Sequence, residues 1–374
     1  MTGAFAQRPG AVGEVPEHYG DPIGEQRALA SGAAIVDLSD RSVLTVTGPE
    51  RLSWLDSLTS QSIAQLAPGE SAETLLLNPN GRIEYAARVL DDGETTWLLM
   101  DAGTGAGFAA FLTRMRFMLQ VAVADVTDVY ATVGMFEGIP DAVAAAVAAP
   151  AGVPLVWVDP WARVQRGGFQ YAEGPHPSSA WDYREALVER ARLGELDAVA
   201  AAGTLALEAL RIAAWRPRAA TELDERAIPH EFDWLRSAVH LAKGCYRGQE
   251  TVAKVHNLGH PPRRLVLLHL DGSDAVLPAA GDEVRLGRPD AVGAGVAAAA
   301  GAAGAAVGHV TAAAWHHELG PIALALVKRS ADPASELTVV ADDVLVPAAQ
   351  QVIVPPSAGA TADVPRLPRL GTRR

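Results

Sequence analysis

The sequence predicts an α+β protein whose C-terminal part is a small antiparallel β-barrel. Three observations indicate this class. Alternating apolar segments flank the tetrapeptide NPNG at 78–81, which is a strong hairpin signal. The segment 203–213 (GTLALEALRIA) has the apolar spacing of a helix with one buried side. After Pro261-Pro262, five short strand patterns are separated by Gly and Pro, as in a closed antiparallel barrel.

Helices and strands alternate along the first part of the chain. The glycines at 103, 105 and 107 do not complete a dinucleotide-binding fingerprint, because position 108 is Phe, so a plain strand-to-helix turn is predicted there. Helices are predicted at 25–32, 49–58, 109–119 and 140–149. Residues 34–38 lead into a strand predicted at 42–46. Further strands are predicted at 74–77, 83–90, 97–100 and 125–133, and a further hairpin is predicted from 155–158 and 162–166.

The second part of the chain continues with helices and ends in the barrel. An ordered loop is predicted at 215–232, because prolines interrupt a charged segment there. Helices are predicted before it, at 183–193, 196–202 and 203–213. The barrel strands are predicted at 265–270, 283–286, 307–311, 322–327 and 337–345.

Composition indicates a globular protein. Its 374 residues are enough for two or three domains, and 49% are hydrophobic against 20% charged. The net charge of −13 argues against a broad nucleic-acid surface, although it allows a small basic pocket. Neither the N-terminal segment nor the Ala/Gly-rich run at 291–307 has the apolar content of a signal peptide or a membrane span. We therefore expect a cytoplasmic protein in which that run is a flexible insertion.

Residues 243–250 (KGCYRGQE) form the most distinctive motif. Cys245 is the only cysteine of the chain, so it cannot form an intramolecular disulfide. The Lys243 ammonium and the N-terminus of a helix predicted after Gly248 would both stabilise a thiolate, so we expect a partly ionised thiol near neutral pH. Gly244 and Gly248 leave the backbone bare for close approach of a ligand. The alternative is a cysteine packed as a small apolar side chain.

A second cluster of potential ligand groups lies in the loop 215–232. The potential ligand groups of this loop are Arg216, Arg218, Glu222, Asp224, Glu225 and Glu231.

No metal site is predicted, because the adjacent His316 and His317 would face opposite sides of a strand, and the His256/His260 pair lacks a third ligand.

The octapeptide, with TVAKVHNLG after it, closely resembles the signature of the YgfZ-type folate-binding proteins. These are relatives of the T-protein of the glycine cleavage system that act in iron–sulfur cluster assembly or repair and are linked to tRNA modification. The likeness covers most of the chain. It extends to the segments 18–39, 46–61, 207–218, 229–231, 307–313 and 320–329, which occur in the order of that family.

The resemblance implies a ring of three small domains around a central channel that holds tetrahydrofolate. It predicts a folate-binding region of two interleaved α+β subdomains at 17–260 and the barrel at 261–348. A flexible arm at 1–16 and a disordered Pro- and Arg-rich tail at 349–374 flank them. Cys245 would lie at the channel mouth, with Lys243 as its catalytic partner. The other signature positions are Gly244, Tyr246, Gly248, Gln249 and Glu250.

Two positions depart from the T-protein pattern. T-proteins carry an acidic pair in the hairpin that matches 81–85 (GRIEY), where an aspartate promotes methylene transfer. Here Glu84 is the one acid, and Tyr85 holds the position of the aspartate. Ala213 replaces a glutamate of the central helix, so Glu231 or Glu222 would have to contact the pteridine instead.

The resemblance also suggests which side chains bind the rest of a folate. Trp215 offers an aromatic surface for stacking. Arg211, Arg216 or Arg218 could pair with the glutamate tail.

The sequence leaves three functions open. The first is a folate-dependent accessory protein that acts through Cys245, with iron–sulfur proteins or their assembly machinery as partners. The second is an aminomethyltransferase in which Glu84 does the work of the missing aspartate. The third is a non-catalytic folate-binding scaffold in which Cys245 is merely packed. No direct nucleic-acid partner and no membrane partner are expected.

Overall fold

The computed structural model describes residues 4–287 and 304–362 of the chain. Within these ranges, two five-stranded sheets and a closed six-stranded barrel make up the β structure. The predicted α+β class and the antiparallel C-terminal barrel are confirmed. The strands described are β1 (Ala34–Asp37), β2 (Ser42–Thr47), β3 (Ser71–Leu77), β4 (Ile83–Asp91), β5 (Thr95–Met100), β6 (Ala122–Asp125), β7 (Tyr130–Phe136), β8 (Val156–Val158), β9 (Tyr183–Glu189), β10 (Ala200–Ala202), β11 (Arg263–Leu270), β12 (Glu283–Leu286), β13 (Ala306–His316), β14 (Gly320–Lys328), β15 (Leu337–Ala341) and β16 (Val344–Val352).

The helices are short. None of the described helices could cross a membrane, since the longest has 11 residues and a bilayer needs about 20. Short 3-10 helices lie at Phe5–Gln7, Pro160–Ala162, Pro177–Ala180, Arg190–Leu196 and Pro229–Phe232. The α-helices described are α1 (Pro22–Ala30), α2 (Arg51–Leu58), α3 (Gly105–Met115), α4 (Asp141–Ala146), α5 (Thr204–Ala213), α6 (Ala219–Glu222), α7 (Leu235–Ala238) and α8 (Gln249–Leu258).

The first sheet has the strand order β3-β4-β5-β2-β6, and all its neighbours are antiparallel. Both faces of this sheet bury side chains: one packs against α2 and α3, and the other packs Val43 and Leu99 against Leu187 of β9. Leu55 of α2 and Phe108 and Leu112 of α3 join Leu44 and Leu98 of the sheet in one buried core. Each such side chain contributes about 1.5–3 kcal/mol when it leaves water.

The second sheet and the barrel share a larger core. The sheet has the order β10-β1-β7-β9-β8, with β10 parallel to β1, and the barrel closes through β11 and β16. Trp157 of the second sheet, Ala209 of α5 and Leu324 of the barrel belong to one buried cluster. Helix α5 therefore connects the sheet to the barrel, and the loop that follows it is held between them.

Several predicted elements are wrong. The segments 183–193 and 196–202, predicted as helices, contain strands β9 and β10 instead. Their Glu, Ala, Leu and Arg residues favour a helix locally, but β9 pairs with β7 and β8, and sheet pairing outweighs that preference. The predicted strand at 162–166 is absent from the described residues, where Pro160–Ala162 forms a 3-10 turn.

The described parts of the two termini pack against the protein. Phe5, in the predicted N-terminal arm, is fully buried, and the Arg8 guanidinium donates to the carbonyl oxygens of Leu196 and Val199. In the predicted tail, Ile353 and Val354 are fully buried. Most of the Ala/Gly run and residues 363–374 of the tail lie outside the described residues. The predicted domain boundaries stay a prediction.

Two glycines bring the 243–250 loop into direct contact with the hairpin between β3 and β4. Gly81 and Gly248 both have left-handed backbones, with φ of 74° and 85°. A Cβ on Gly248 would lie 2.6 Å from the carbonyl oxygen of Asn78, and one on Gly81 would lie 2.8 Å from the Cβ of Thr251. Only glycine allows this approach, so the hairpin fixes the start of α8 and with it the loop that carries Cys245.

Three histidines are held neutral by burial. Burial lowers the pKa of His176 and of His230 to about 3, and that of His316 to about 4. His230 is 1% exposed, and its Nε2 lies 3.0 Å from the carbonyl oxygen of Val252. Its Nδ1 has no hydrogen-bond partner among the described residues. Protonation would therefore place a charged, unpaired N–H in the interior.

We expect Gly248→Ala to lower the free energy of unfolding by at least about 1–2 kcal/mol, because alanine disfavours the left-handed backbone and its Cβ would collide with Asn78. Gly244→Ala is the matched control in the same loop. Nothing lies within 4 Å of a Cβ placed there, so its effect should stay within about 0.5 kcal/mol. Urea denaturation measures both, and equal losses would contradict this packing.

Stability should fall in acid. A histidine whose folded-state pKa is depressed below the unfolded value near 6.5 stabilises the protein above pH 6.5, and that contribution is lost as the pH drops towards about 3. Each pH unit below 6.5 costs up to about 1.4 kcal/mol per histidine. His230→Gln keeps a donor for Val252 and should flatten the decline in unfolding free energy between pH 6.5 and 4. The partly exposed His269→Gln should leave the slope unchanged, and an identical slope in wild type and His230→Gln would refute the assignment.

Candidate functional site

A pocket opens where β4, the end of β5 and helix α5 meet the loop that follows α5. It encloses about 740 Å³ of free space, part of which is open to solvent. Its wall combines five arginines with five carboxylates: Arg41, Arg88, Arg211, Arg216 and Arg218 with Asp40, Glu73, Asp101, Asp159 and Glu208.

Arg216 is buried and forms ion pairs with two buried carboxylates. Its Nη2 lies 2.5 Å from Glu73 of β3, and its Nε lies 2.9 Å from Asp159, which follows β8. The same two carboxylates accept hydrogen bonds from the indoles of Trp234 (2.9 Å) and Trp181 (2.8 Å). All five side chains are buried. One guanidinium thus joins the two sheets at the base of the pocket.

Arg211 is also fully engaged. Its Nη1 donates to Glu222 at 3.0 Å, and its Nε donates to Glu208 at 3.0 Å. Glu222 in turn accepts from the backbone N–H of Arg218 and from the hydroxyl of Thr311 in the barrel. The structure therefore places Arg211 and Arg216 in the pocket wall, where both pair with internal carboxylates, and their role in folate binding stays a prediction.

Arg88 and Arg218 are held more loosely, around Asp101. The nearest guanidinium nitrogens lie 3.3 Å and 3.5 Å from an Asp101 carboxylate oxygen. Burial alone would raise the pKa of Asp101, but Arg88, Arg218 and Arg41 together hold it well below its usual range. The Nε of Arg218 is buried without a hydrogen-bond partner among the described residues. Arg88 also lies 3.3 Å from the buried Glu185, and Arg218 lies 3.8 Å from Glu208, so each of these arginines faces two carboxylates at long distances.

The aromatic wall of the pocket differs from the prediction. Trp181, Tyr183 and Trp234 line it. Trp215 does not line it, because its backbone turns into the left-handed region (φ of 58°) and its ring packs edge-on against His176 at 5.0 Å. Trp181 and Trp234 are themselves 4% and 1% exposed, so neither ring presents a free face for stacking in this conformation.

The predicted acidic ligands lie outside the pocket wall. Both oxygens of the fully buried Glu231 lie 2.8 Å from the guanidinium of Arg263. Glu84 is exposed and pairs with Arg247 at 2.9 Å. Tyr85 stacks on Phe108 of α3, with 5.2 Å between ring centroids. The structure thus does not bring Glu231 or Glu84 together with Arg211 and Arg216.

Lys243 anchors the motif loop rather than facing the thiol. Its Nζ donates to the backbone carbonyl oxygens of Asp56 (2.6 Å), Thr59 (2.9 Å) and Gln61 (2.8 Å), which end α2. Burial lowers the pKa of Lys243, and the Asp56 carboxylate 3.3 Å away opposes that shift. Since an ammonium has three N–H donors, the expected pairing with Cys245 would need one of these bonds to break.

The other motif side chains fix the loop. Tyr246 is 7% exposed and belongs to the core, with the Lys243 ammonium 5.5 Å from its ring centroid. The Gln249 side-chain amide donates to the carbonyl oxygen of Lys243 at 3.1 Å and closes the loop. Helix α8 begins at Gln249, directly after Gly248, as predicted, and Glu250 lies exposed in its first turn.

Cys245 is exposed on this anchored loop. Arg247, two residues further on, pairs with Glu84 of β4. Alternate residues of a strand share a face, so Glu84 lies on the same side of β4 as Ala86 and Arg88, which line the pocket. Adjacent positions on that face are about 7 Å apart. The thiol loop therefore lies at one end of the strand that forms the pocket wall.

Sequence reasoning missed Glu73, Arg88 and Asp101. Asp101 directly follows an apolar strand and precedes a glycine turn, which is a signal that could have identified it. Arg88 interrupts the apolar face of a strand. The described residues contain no group of three or more His, Cys, Asp or Glu side chains that could hold a metal ion.

Comparisons with known proteins agree with this fold. Residues 9–138 match the GCVT N-terminal domain. The crystal structure of glycine cleavage system aminomethyltransferase T from Bartonella henselae is similar over 96% of both chains, with a TM-score of 0.65 and 18% identity. At that identity the likeness shows the fold alone.

Curated relatives named aminomethyltransferase are also similar in sequence. The protein of Streptomyces coelicolor is 26% identical over 86% of this chain and 84% of its own length, and that of Symbiobacterium thermophilum is 25% identical over 73% and 76%. The protein of Chromobacterium violaceum is 31% identical, but the match spans only 29% of this chain and 31% of that protein. Residues 9–138 thus match the GCVT N-terminal domain, and most of the chain is similar in sequence to proteins named aminomethyltransferase.

Proposed function

We propose that the chain binds a tetrahydrofolate in this pocket and acts as an accessory protein in iron–sulfur cluster assembly or repair through the thiol of Cys245. The observation that carries the proposal is the position of that thiol. It is exposed on a loop that is otherwise anchored, at the end of the strand that lines the pocket. No residue of 243–250 lines the pocket, but an accessible sulfur on an anchored loop at the end of the same strand is suited to react with a partner protein.

The chemistry of the pocket fits a folate. A pteridine is flat and aromatic and carries many donors and acceptors, and the pocket wall contains both aromatic and charged side chains. The unpartnered Nε of Arg218 and the loosely held Arg88 suit the carboxylates of the glutamate tail. When bound, tetrahydrofolate would supply a carrier for a one-carbon unit.

Aminomethyl transfer is the second candidate, and the name of the relatives favours it. It would need a carboxylate free to act in the hairpin between β3 and β4. Tyr85 packs against Phe108 instead, and Glu84 is bound to Arg247. Purified protein with tetrahydrofolate and an aminomethyl donor should therefore give no turnover, and steady formation of methylenetetrahydrofolate would reverse the order of the two candidates.

The proposed partners and the proposed location rest on the YgfZ-type resemblance of the 243–250 motif. Iron–sulfur proteins or their assembly machinery are the proposed partners, with a link to tRNA modification, and the cytoplasm is the proposed location.

We expect tetrahydrofolate to bind the wild-type protein, and Arg88→Ala or Arg218→Ala to raise its Kd about ten-fold or more, because each removes a charge-assisted hydrogen bond. Arg184→Ala, on the second sheet outside the pocket wall, is the control and should leave the Kd unchanged, as should Cys245→Ser. Isothermal titration calorimetry measures all four. Absence of binding to wild type, or an equal loss in Arg184→Ala, would reject the pocket as the folate site.

We expect Cys245→Ala to fail to restore iron–sulfur enzyme activity in a strain that lacks its own factor, because the proposal makes the thiol essential. Gly244→Ala alters the neighbouring position, whose Cβ meets nothing within 4 Å, and should restore activity like wild type. Full restoration by Cys245→Ala, at equal protein level, would remove the thiol from the function.

A further inference from the structure

Two large apolar side chains are exposed to solvent just beyond the end of α3. Phe117 is 86% exposed and Met118 is 97% exposed. Phe117 also has a φ of 49°, in the left-handed region that a bulky L-residue rarely adopts. Its ring gains no burial, and its backbone conformation costs free energy, so neither residue is explained by the stability of the fold.

Unpaired positive charge surrounds this apolar pair. Arg114 and Arg116 are exposed, and neither forms an ion pair with any carboxylate of residues 4–287 and 304–362. The acid that contacts this turn is Glu50, whose carboxylate accepts the backbone N–H of Gln120 at 2.7 Å. The chain as a whole carries a net charge of −13, so a basic surface here is a local exception.

The same surface continues to the thiol loop. The guanidiniums of Arg114 and of Arg247 each lie 5.6 Å from the ring centroid of Phe111, so one ring connects α3 to the loop. Phe111 lies in α3, and Phe117 follows two residues after the end of that helix. Arg247 is two residues from Cys245, which is exposed.

A groove lies beside the apolar pair. It is lined by Thr47 and Gly48 at the end of β2 and by the turn 116–122. This turn leads into β6, an edge strand of the first sheet whose outer side pairs with no other described strand. An extended segment could lay an apolar side chain in the groove and use the free edge for backbone hydrogen bonds.

We propose that the surface formed by Arg114, Arg116, Phe117 and Met118 docks an acidic segment of a partner protein that carries an apolar side chain, and that docking presents this partner to Cys245. Charge complementarity selects the acidic partner, since the two arginines lack an internal counter-ion. Phe117 and Met118 would supply the apolar contact that is shielded from water at the centre of the interface, which the charged groups alone do not provide. The use of Cys245 rests on the proposed function, whereas the docking surface does not.

Disulfide exchange with a synthetic probe tests the surface, because Cys245 is the only thiol of the chain. The probe is an acidic peptide of about twelve residues, which spans up to about 40 Å when extended. It has one central leucine and a terminal cysteine activated as a mixed disulfide with thionitrobenzoate. The Cys245 thiolate attacks the peptide sulfur, a new S–S bond forms, and the bond to thionitrobenzoate breaks and releases that coloured thiolate.

The acidic peptide should react about ten-fold or more faster than its lysine counterpart of equal length, and added salt should reduce the difference. This rate difference between the two peptides is the acceleration. It should be abolished by either of two double substitutions, Phe117→Ser with Met118→Ser or Arg114→Glu with Arg116→Glu. Leu319→Ser and Arg27→Glu, an exposed apolar residue and an exposed arginine elsewhere, should keep it. Free cysteine activated in the same way gives the intrinsic thiol rate of every variant. Equal rates for the two peptides, or acceleration that survives both double substitutions, would overturn the proposal.

The two proposals fail separately. Full complementation by Cys245→Ala would remove the thiol from the function and leave the peptide acceleration in place. Loss of the acceleration, with complementation still dependent on Cys245, would remove the docking surface and leave the proposed function.

Discussion

The buried pairing of Arg216 with Glu73 and Asp159 is the interaction around which the pocket is built. Each carboxylate comes from a different sheet, and both are nearly sealed from water. A charge in such a place is costly unless it is paired and hydrogen-bonded, and here the indoles of Trp234 and Trp181 complete the arrangement. Removing the guanidinium would leave two uncompensated charges between the sheets, so the position of the sheets and the shape of the pocket depend on one side chain.

This arrangement divides the arginines of the pocket into two groups. The guanidinium N–H groups of Arg211 and Arg216 donate to internal carboxylates, so a ligand would have to displace short, buried hydrogen bonds to bind them. Arg88 and Arg218 share Asp101 and each faces one further carboxylate, Glu185 or Glu208, but at 3.3 to 3.8 Å, so each contact that an incoming anion would displace is weaker. The residues of the 243–250 motif also fall into two groups. Lys243, Tyr246, Gly248 and Gln249 hold the loop, and the sulfur is left exposed.

Much of the fold follows from local sequence, whereas the pairing of charges does not. The barrel strands were predictable because their apolar alternation is interrupted by Gly and Pro. Strands β9 and β10 were not, because their residues favour helices and only the pairing with β7 and β1 makes them strands. Arg216 was assigned to a ligand because its partner Glu73 lies 143 residues away, beyond any local pattern. The cysteine motif was identified from the sequence, but the anchoring of Lys243 by three carbonyl oxygens requires the folded chain.

Glu222 joins the pocket to the barrel, since it holds Arg211 on one side and the hydroxyl of Thr311 in β13 on the other. A molecule that draws Arg211 or Arg218 towards itself would therefore loosen or tighten a bond of the barrel as well. If ligand binding in the pocket changes the stability of the barrel, then by thermodynamic linkage stabilising the barrel changes the affinity of that ligand by the same free energy. The barrel would then influence occupancy of the pocket through Glu222, although none of its described residues lines the cavity.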